Sequence, residues 1–339
     1  MDILILGGTR FLGRALVESA FARGHRVTLF HRGRTAPELF PGIERILGDR
    51  EHDLDRLSGR RWDAAFDTCG FVPRIVRAAA ARLAGSVSHY TYVSSISVYA
   101  EPLARGSDER APLAKIADES VEEVTGETYG ALKELCERAV EAELPGRALH
   151  ARAGLLVGPH DYTDRFPYWV ARMARGGDVL VPDAPDQPAQ FIDARDLADW
   201  LVRMAEVRTA GTFNLTGPAT PLTLGEFLLA CCAALGANAR LVPVAESFLK
   251  EHGVTPWTEL PIWTAGDVGH TSVNVSKALE HGLTLRPLEA TIRDTAEWRR
   301  STPASASAGT TLSTPVPGNL TPEREAELLD RWAQRAPKS

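Results

Sequence analysis

Residues 129–133 read YGALK. On a helix, Tyr129 and Lys133 stand four apart and project from one face. A lysine ammonium beside a phenol lowers the phenol's pKa from its reference of about 10, which makes a tyrosine usable as a general acid or base near neutral pH. Upstream, YVSSISVY (92–99) places Ser94, Ser95 and Ser97 near the end of a strand-like run. Open α/β sheets bind ligands outside the carboxyl ends of their strands, so a hydroxyl there can hold a substrate oxygen while tyrosine moves its proton. A third stretch, GGTRFLG (7–13), follows the apolar run ILIL (3–6). A strand that breaks into glycine and enters a helix aims backbone N–H groups and the positive end of a helix dipole at a pyrophosphate. Gly7 allows the tight turn and Gly13 the close packing of helix on sheet. Arg10 occupies the place where the usual fingerprint has its second glycine, and its guanidinium offers a partner to an anion.

The end of the second strand bears on the cofactor. NAD-binding units place an acid there for the ribose 2′-OH, whereas this chain has His31, Arg32, Gly33 and Arg34. Three arginines, with Arg10, can surround a 2′-phosphate. NADP(H) is therefore favoured, with NAD(H) as the alternative.

These residues need elements to carry them. ILIL (3–6), VTLF (27–30), RIL (45–47), AAF (64–66), YTYV (90–93) and ALHARAG (148–154) read as strands; residues 11–24, 73–85 and 127–144 carry helical spacing. Strands alternating with helices predict an α/β fold, a Rossmann-like doubly wound parallel sheet. The expected organisation is a dinucleotide-binding domain over 1–157 with a return segment at 190–210, then a smaller mixed α/β substrate domain over 158–300. VLV (179–181), FNLTG (213–217) and the helical LGEFLLACCAAL (224–235) fall in the second part. Residues 301–320, rich in Ser, Thr, Pro and Gly, read as a flexible linker. A terminal helix follows over 321–336, where Thr321 can cap, Pro322 suits the first turn, and Glu323 and Glu325 suit the dipole.

Composition narrows the partners. With 339 residues, 44% hydrophobic, 24% charged and a net charge of −6, the chain lacks the basic excess of a nucleic-acid binder. Cys69, Cys136, Cys231 and Cys232 have no CxxC spacing, so neither a disulfide framework nor a zinc site is expected, and no metal is assigned. No stretch approaches the roughly 18 apolar residues of a membrane span. A cytoplasmic protein acting on a small molecule is the expectation, with no nucleic acid and no membrane as partner.

Taken in order, GGTRFLG, GDR (48–50), YVSSISVY and YGALK resemble the extended or atypical short-chain dehydrogenase/reductases of the NAD-dependent epimerase/dehydratase family. GLLVGPHD (154–161), QFIDARDLADWL (190–201) and VNVSKALEHGLTLRP (273–287) resemble later signatures of that family, so the likeness covers residues 1 to about 300. The resemblance implies a catalytic triad of Ser95, Tyr129 and Lys133, Ser95 standing four residues before Tyr99 as in the family pattern. It implies dinucleotide contacts from Gly7, Thr9, Arg10, Phe11, Leu12 and Gly13, from His31, Arg32 and Arg34, and from Asp49 and Arg50 at the adenine. Further contacts are implied from Thr68, Cys69 and Gly70 under the ribose, from Ser94, from Tyr129 and Lys133, the lysine holding the cofactor ribose, and from Ala153, Leu155 and Leu156 at the nicotinamide, with Ala153 replacing the usual proline. Ser95, Ser97, His160, Asp161 and Arg165 are the implied substrate contacts, with Asp164 in the same cluster; a homodimer is the implied candidate assembly.

Three activities follow from the resemblance: net reduction or oxidation of a secondary alcohol or carbonyl in a sugar, nucleotide sugar, nucleoside or similar metabolite; a redox-neutral epimerisation or dehydration with tightly retained NAD+; or non-catalytic dinucleotide or RNA binding, because GGTRF also resembles a branch with chloroplast RNA-binding members. The intact YxxxK argues against the last. Sugar-nucleotide 4,6-dehydratases carry an Asp-Glu pair after the catalytic hydroxyl, where this chain has Ile96 and Ser97, which disfavours that chemistry. Glu101, Asp108 and Glu109 are the loop carboxylates left to supply another acid or base.

Overall fold

A computed structural model of the chain describes residues 1–302 and 318–335. Most of the expected linker 301–320 and the last residue of the expected terminal helix lie outside them. The chain divides into two compact units, the first built from residues 1–156, 192–219 and 273–285, the second from 157–191, 220–272 and the described residues from 286 onward.

The first unit is a seven-stranded sheet with every registered pair parallel. Its strands are β1 (Asp2–Leu6), β2 (Arg26–His31), β3 (Glu44–Leu47), β4 (Trp62–Asp67), β5 (Val87–Ser95), β6 (Ala148–Ala153) and β10 (Gly211–Leu215); β7 (Leu155–Val157), β8 (Gly177–Pro182) and β9 (Phe191–Asp193) intervene in the chain. Spatial order is β10-β6-β5-β4-β1-β2-β3. A sheet covered on both faces needs strands that are apolar throughout, which is why ILIL is continuous rather than alternating: Ile3 to Leu6 are fully buried. Helix α1 (Phe11–Ala22) packs along α5 (Ala194–Glu206), and α2 (Pro73–Leu83) along α3 (Tyr129–Glu143). The strand order reverses between β1 and β4, so the crevice where a doubly wound sheet takes its ligand opens between the ends of those two strands.

One element falls elsewhere than expected. FNLTG, placed by the sequence reading in the substrate domain, forms β10 and pairs parallel with β6, Phe213 opposite Ala151 and Leu215 opposite Ala153. The strand's residues say that it is buried, but not in which sheet; the chain returns through α5 to complete the open edge of β6. Residues 273–285 return as well, Lys277 donating to the carbonyl of Thr212 at 2.7 Å.

The glycine turn is tightly built. Gly7 and Gly8 have φ of +110° and +95°, and a Cβ on Gly13 would lie 2.8 Å from the backbone N of Gly8. Backbone cannot yield as a side chain does, so Gly13→Ala is expected to destabilise the first unit by about 1–3 kcal/mol. Thermal denaturation checks this, and wild-type stability in the variant would show that α1 has room to recede.

The second unit contains α4 (Arg165–Ala174), α6 (Leu224–Leu235), α7 (Glu246–Glu251), α9 (Leu288–Ser301) and a parallel pair of strands, β8 with β11 (Ala239–Val244); the short helix α8 (Ser276–Glu280) precedes α9 in the chain but belongs to the first unit. A capping box between Thr223 and Glu226 starts α6, and Gly236 in the left-handed region ends it. Helix α10 (Pro322–Arg335) is anchored here: the buried carboxylate of Glu325 accepts from Arg172 Nε at 2.6 Å and from the backbone N–H of Leu180 at 3.0 Å. Among the described residues no helix is long and apolar enough to cross a membrane.

Candidate active site

The first unit holds most of the sequence-predicted residues at the carboxyl ends of its strands. Helix α1 begins beyond β1 with Arg10 at the N-cap position, no side-chain cap and no acid in its first turn. The positive end of the helix dipole there is complementary to an anion. The chain passes so close to Thr68 that a Cβ on Gly7 would lie 2.5 Å from Thr68 Oγ1, which itself donates to the carbonyl of Leu6 at 2.8 Å. A cradle of bare backbone with an uncapped helix start fits the pyrophosphate of a dinucleotide.

Beyond β2, His31 makes the turn by accepting from the N–H of Gly33 at 2.9 Å, and burial holds its imidazole below the ordinary value, with Arg45 adding to the effect. Arg32 and Arg34 are exposed on this turn. Asp49 accepts from the N–H of Glu51 at 3.0 Å. Arg50 is directed inward: its guanidinium donates twice to Asp67, both at 2.7 Å, and also reaches Cys69 Sγ at 3.3 Å. Asp67 is fully buried and also accepts from the Tyr90 hydroxyl at 3.0 Å. The arginine that the resemblance assigns to adenine thus braces the 48–50 turn against the end of β4. Neither Asp67 nor Tyr90 was singled out from sequence; the partners lie 17 and 40 residues from Arg50, and nothing local announces the pairing.

At the end of β5, Ser95 Oγ accepts from the N–H of Ser97 at 3.1 Å and donates to Ser97 Oγ at 3.0 Å, starting a short turn over Ile96–Val98. Ser94 is buried and its hydroxyl has no hydrogen-bond partner. Helix α3 starts at Tyr129, and its second residue comes remarkably near this turn: a Cβ on Gly130 would lie 2.1 Å from the carbonyl oxygen of Ser97. Gly130 is a position that the sequence reading passed over, although a glycine in the first turn of a helix was the available signal. One turn on, Lys133 is 3% exposed and donates to the carbonyls of Gly70 at 2.9 Å and Val93 at 2.6 Å. Burial lowers its pKa to about 8, with Cys136, Asp67 and Glu137 pulling it back upward. The Tyr129 ring stands 6.5 Å from that of Phe71. Behind α3, Glu137 holds Arg152 of β6 by a buried ion pair at 2.7 Å, and Arg152 also donates to Tyr99 Oη at 3.1 Å. The sheet so fixes the helix that carries Tyr129 and Lys133.

Ala153 is buried at the end of β6, and Leu155 and Leu156 are half-buried. Gly154 follows against Thr216, where a Cβ would lie 2.4 Å from Oγ1.

His160, Asp161 and Arg165 belong to the second unit. His160 has φ of +69° and packs edge-on against Trp298, and Arg165 lies over the Trp257 ring at 5.9 Å. Asp161 is buried; one carboxylate oxygen accepts from the N–H and hydroxyl of Thr163 at 2.8 and 2.7 Å, and the other has no partner. Burial pushes this carboxyl up to about 6. A group whose folded pKa is raised keeps its proton while the unfolded chain loses it, so its contribution to stability falls as pH rises from about 4 to 6. Wild type is therefore expected to lose about 2 kcal/mol relative to Asp161→Asn between pH 4 and 7. Denaturant titrations at the two pH values measure the difference, and parallel profiles would contradict it.

Comparisons with known proteins agree with this architecture. Residues 60–216 match the model of the NAD dependent epimerase/dehydratase family. The chain is 28% identical over 275 residues to the bovine (Bos taurus) epimerase family protein SDR39U1, covering 74% of this chain and 85% of that one. It is 26% identical over 255 residues to the chloroplast stem-loop binding protein of 41 kDa b of Arabidopsis thaliana, covering 69% of this chain and 63% of the relative. Among solved structures, MoeE5 in complex with UDP-glucose and NAD superposes with a TM-score of 0.63 at 19% identity, over 89% of this chain and 99% of that one.

Proposed function

We propose, from the match of residues 60–216 to the model of the NAD dependent epimerase/dehydratase family, that this protein is an NAD(P)-dependent enzyme acting on a secondary alcohol or carbonyl of a small metabolite, with nucleotide sugars the first class to try. The observation that carries the reading is the seating of the YxxxK helix: Gly130 brings its first turn against Ser97, and Lys133 is bonded into the end of the strand that presents Ser95. A bound dinucleotide supplies a hydride donor or acceptor at its nicotinamide. The chain's own residues do the rest. Ser95 holds the substrate oxygen, Tyr129 takes or gives the hydroxyl proton, and the ammonium of Lys133 favours the phenolate form of Tyr129. Deuterium from C4-deuterated NADPH is expected in the alcohol product, in proportion to the NADP+ formed; oxidation of the cofactor without a labelled product would remove the reading.

NADP(H) is the cofactor this reading favours, since Arg32 and Arg34 are exposed on the turn where NAD-binding units place an acid. Arg32→Glu is expected to weaken NADPH binding by roughly ten- to a hundredfold and NADH binding far less. Calorimetric titration of both cofactors into both proteins makes the comparison, and equal losses would end the 2′-phosphate argument.

A second reading is favoured by the NAD held with UDP-glucose in MoeE5: a redox-neutral epimerase or dehydratase. In that case NAD+ is retained through purification and turnover leaves no net change at the nicotinamide. The name of the Arabidopsis relative raises RNA binding as a third reading, and the net charge of −6 speaks against it here.

A further inference from the structure

The carbonyl of Gly70 receives two donors, Lys133 Nζ at 2.9 Å and the Tyr92 hydroxyl at 3.0 Å. The same tyrosine turns its ring face to the ammonium, with Nζ 4.3 Å from the ring centroid, and the Phe71 centroid lies at 5.2 Å. Tyr92 is fully buried on β5, and Gly70 is closely packed beside it: a Cβ there would lie 2.6 Å from Val76 Cγ2 and 3.0 Å from Tyr92 Cε2. With Val93 accepting a further bond, two of the three ammonium donors meet carbonyls and the charge rests on an aromatic face. We propose that Tyr92 is a positioning residue for Lys133: its ring holds the ammonium at the end of β5, and its hydroxyl shares the Gly70 carbonyl and so limits how strongly that carbonyl holds the charge.

The two halves of the tyrosine act in opposite directions. The ring favours the charged lysine, whereas the hydroxyl competes with it for Gly70. Asp67 from β4, Cys136 and Glu137 from α3, and Arg50 from the turn after β3 also act on Lys133; Cys136 itself meets the Tyr92 side chain, a contact that both Tyr92→Leu and Tyr92→Phe remove, while the other three groups are untouched. The proposal rests on the role given to Lys133 above, but its test needs neither substrate nor dinucleotide, so either reading can fail without the other.

The experiment is a pH titration of the lysine Cε resonances in 13C-lysine-labelled full-length protein. The chain's lysines are Lys115, Lys133, Lys250, Lys277 and Lys338, and Lys133→Met assigns the resonance of interest. In wild type this lysine is expected to titrate near 8. Tyr92→Leu removes the ring face and is expected to lower the midpoint by about half a unit to one unit. Tyr92→Phe keeps the ring, is nearly isosteric and stays folded; it frees the Gly70 carbonyl and is expected to raise the midpoint by up to about half a unit. An unchanged midpoint in folded Tyr92→Leu, or a midpoint at or below wild type in Tyr92→Phe, would overturn the proposal.

Discussion

Tyr129→Phe is expected to lower turnover by about 10²–10⁴-fold while leaving dinucleotide affinity at the wild-type level, the range associated with losing a positioned general acid or base. The substitution deletes one oxygen. Phenylalanine keeps the ring that faces Phe71 and the start of α3, so Gly130 stays against Ser97 and Lys133 stays in its carbonyl cage. What disappears is the only group in this arrangement to which the proposal gives a proton. Following the nicotinamide absorbance with each accepted alcohol or carbonyl, beside a dinucleotide titration, separates the two quantities. Retained turnover in the variant would transfer proton movement to another residue, and a parallel loss of cofactor affinity would mean that Tyr129 serves binding rather than chemistry.

The second large effect concerns stability. Asp67→Ala is expected to cost about 3–5 kcal/mol, because it leaves the guanidinium of Arg50 charged and mostly enclosed without its partner. The pair is bidentate, Asp67 is fully buried, and the Tyr90 hydroxyl loses its acceptor in the same substitution. Asp67→Asn keeps an oxygen for these donors and is expected to cost less. Denaturant unfolding of the two variants ranks them. A loss within about 1 kcal/mol for the alanine would show that Arg50 swings to water without penalty, and the brace between the 48–50 turn and the end of β4 would then carry no weight.

How far these features were legible in the sequence depends on the distance over which they are encoded. The parallel sheet was readable because full burial writes itself locally: Ile3 to Leu6 are apolar without alternation, and glycine follows at Gly7 and Gly8. The four-residue spacing of Tyr129 and Lys133 is likewise local. Gly130 was visible but mute, since its meaning lies in a carbonyl at Ser97, thirty-three residues away in the chain. The partnership of Arg50 with Asp67 had no local signature, and neither had the docking of α10 by Glu325 on Arg172, 153 residues earlier. FNLTG shows the same limit for a whole element: its residues announce a buried strand, and only the free edge of β6 decides where it goes.

His160, Asp161, Asp164 and Arg165 stand in the sequence as a polar cluster after the sixth strand. Sequence could not say that Asp161 would be enclosed with one oxygen unpartnered, because that depends on the packing of the second unit. Its raised pKa is a consequence of that enclosure.

The central claim is that the first unit binds a nicotinamide dinucleotide with a 2′-phosphate for use by Tyr129. Its most direct test is mass spectrometry and absorbance of the dinucleotide released on denaturing freshly purified protein, followed by titration of stripped protein with NADPH. The account predicts NADP(H) at one per chain, either carried through purification or restored by titration. Protein that neither carries nor binds NADPH would contradict it.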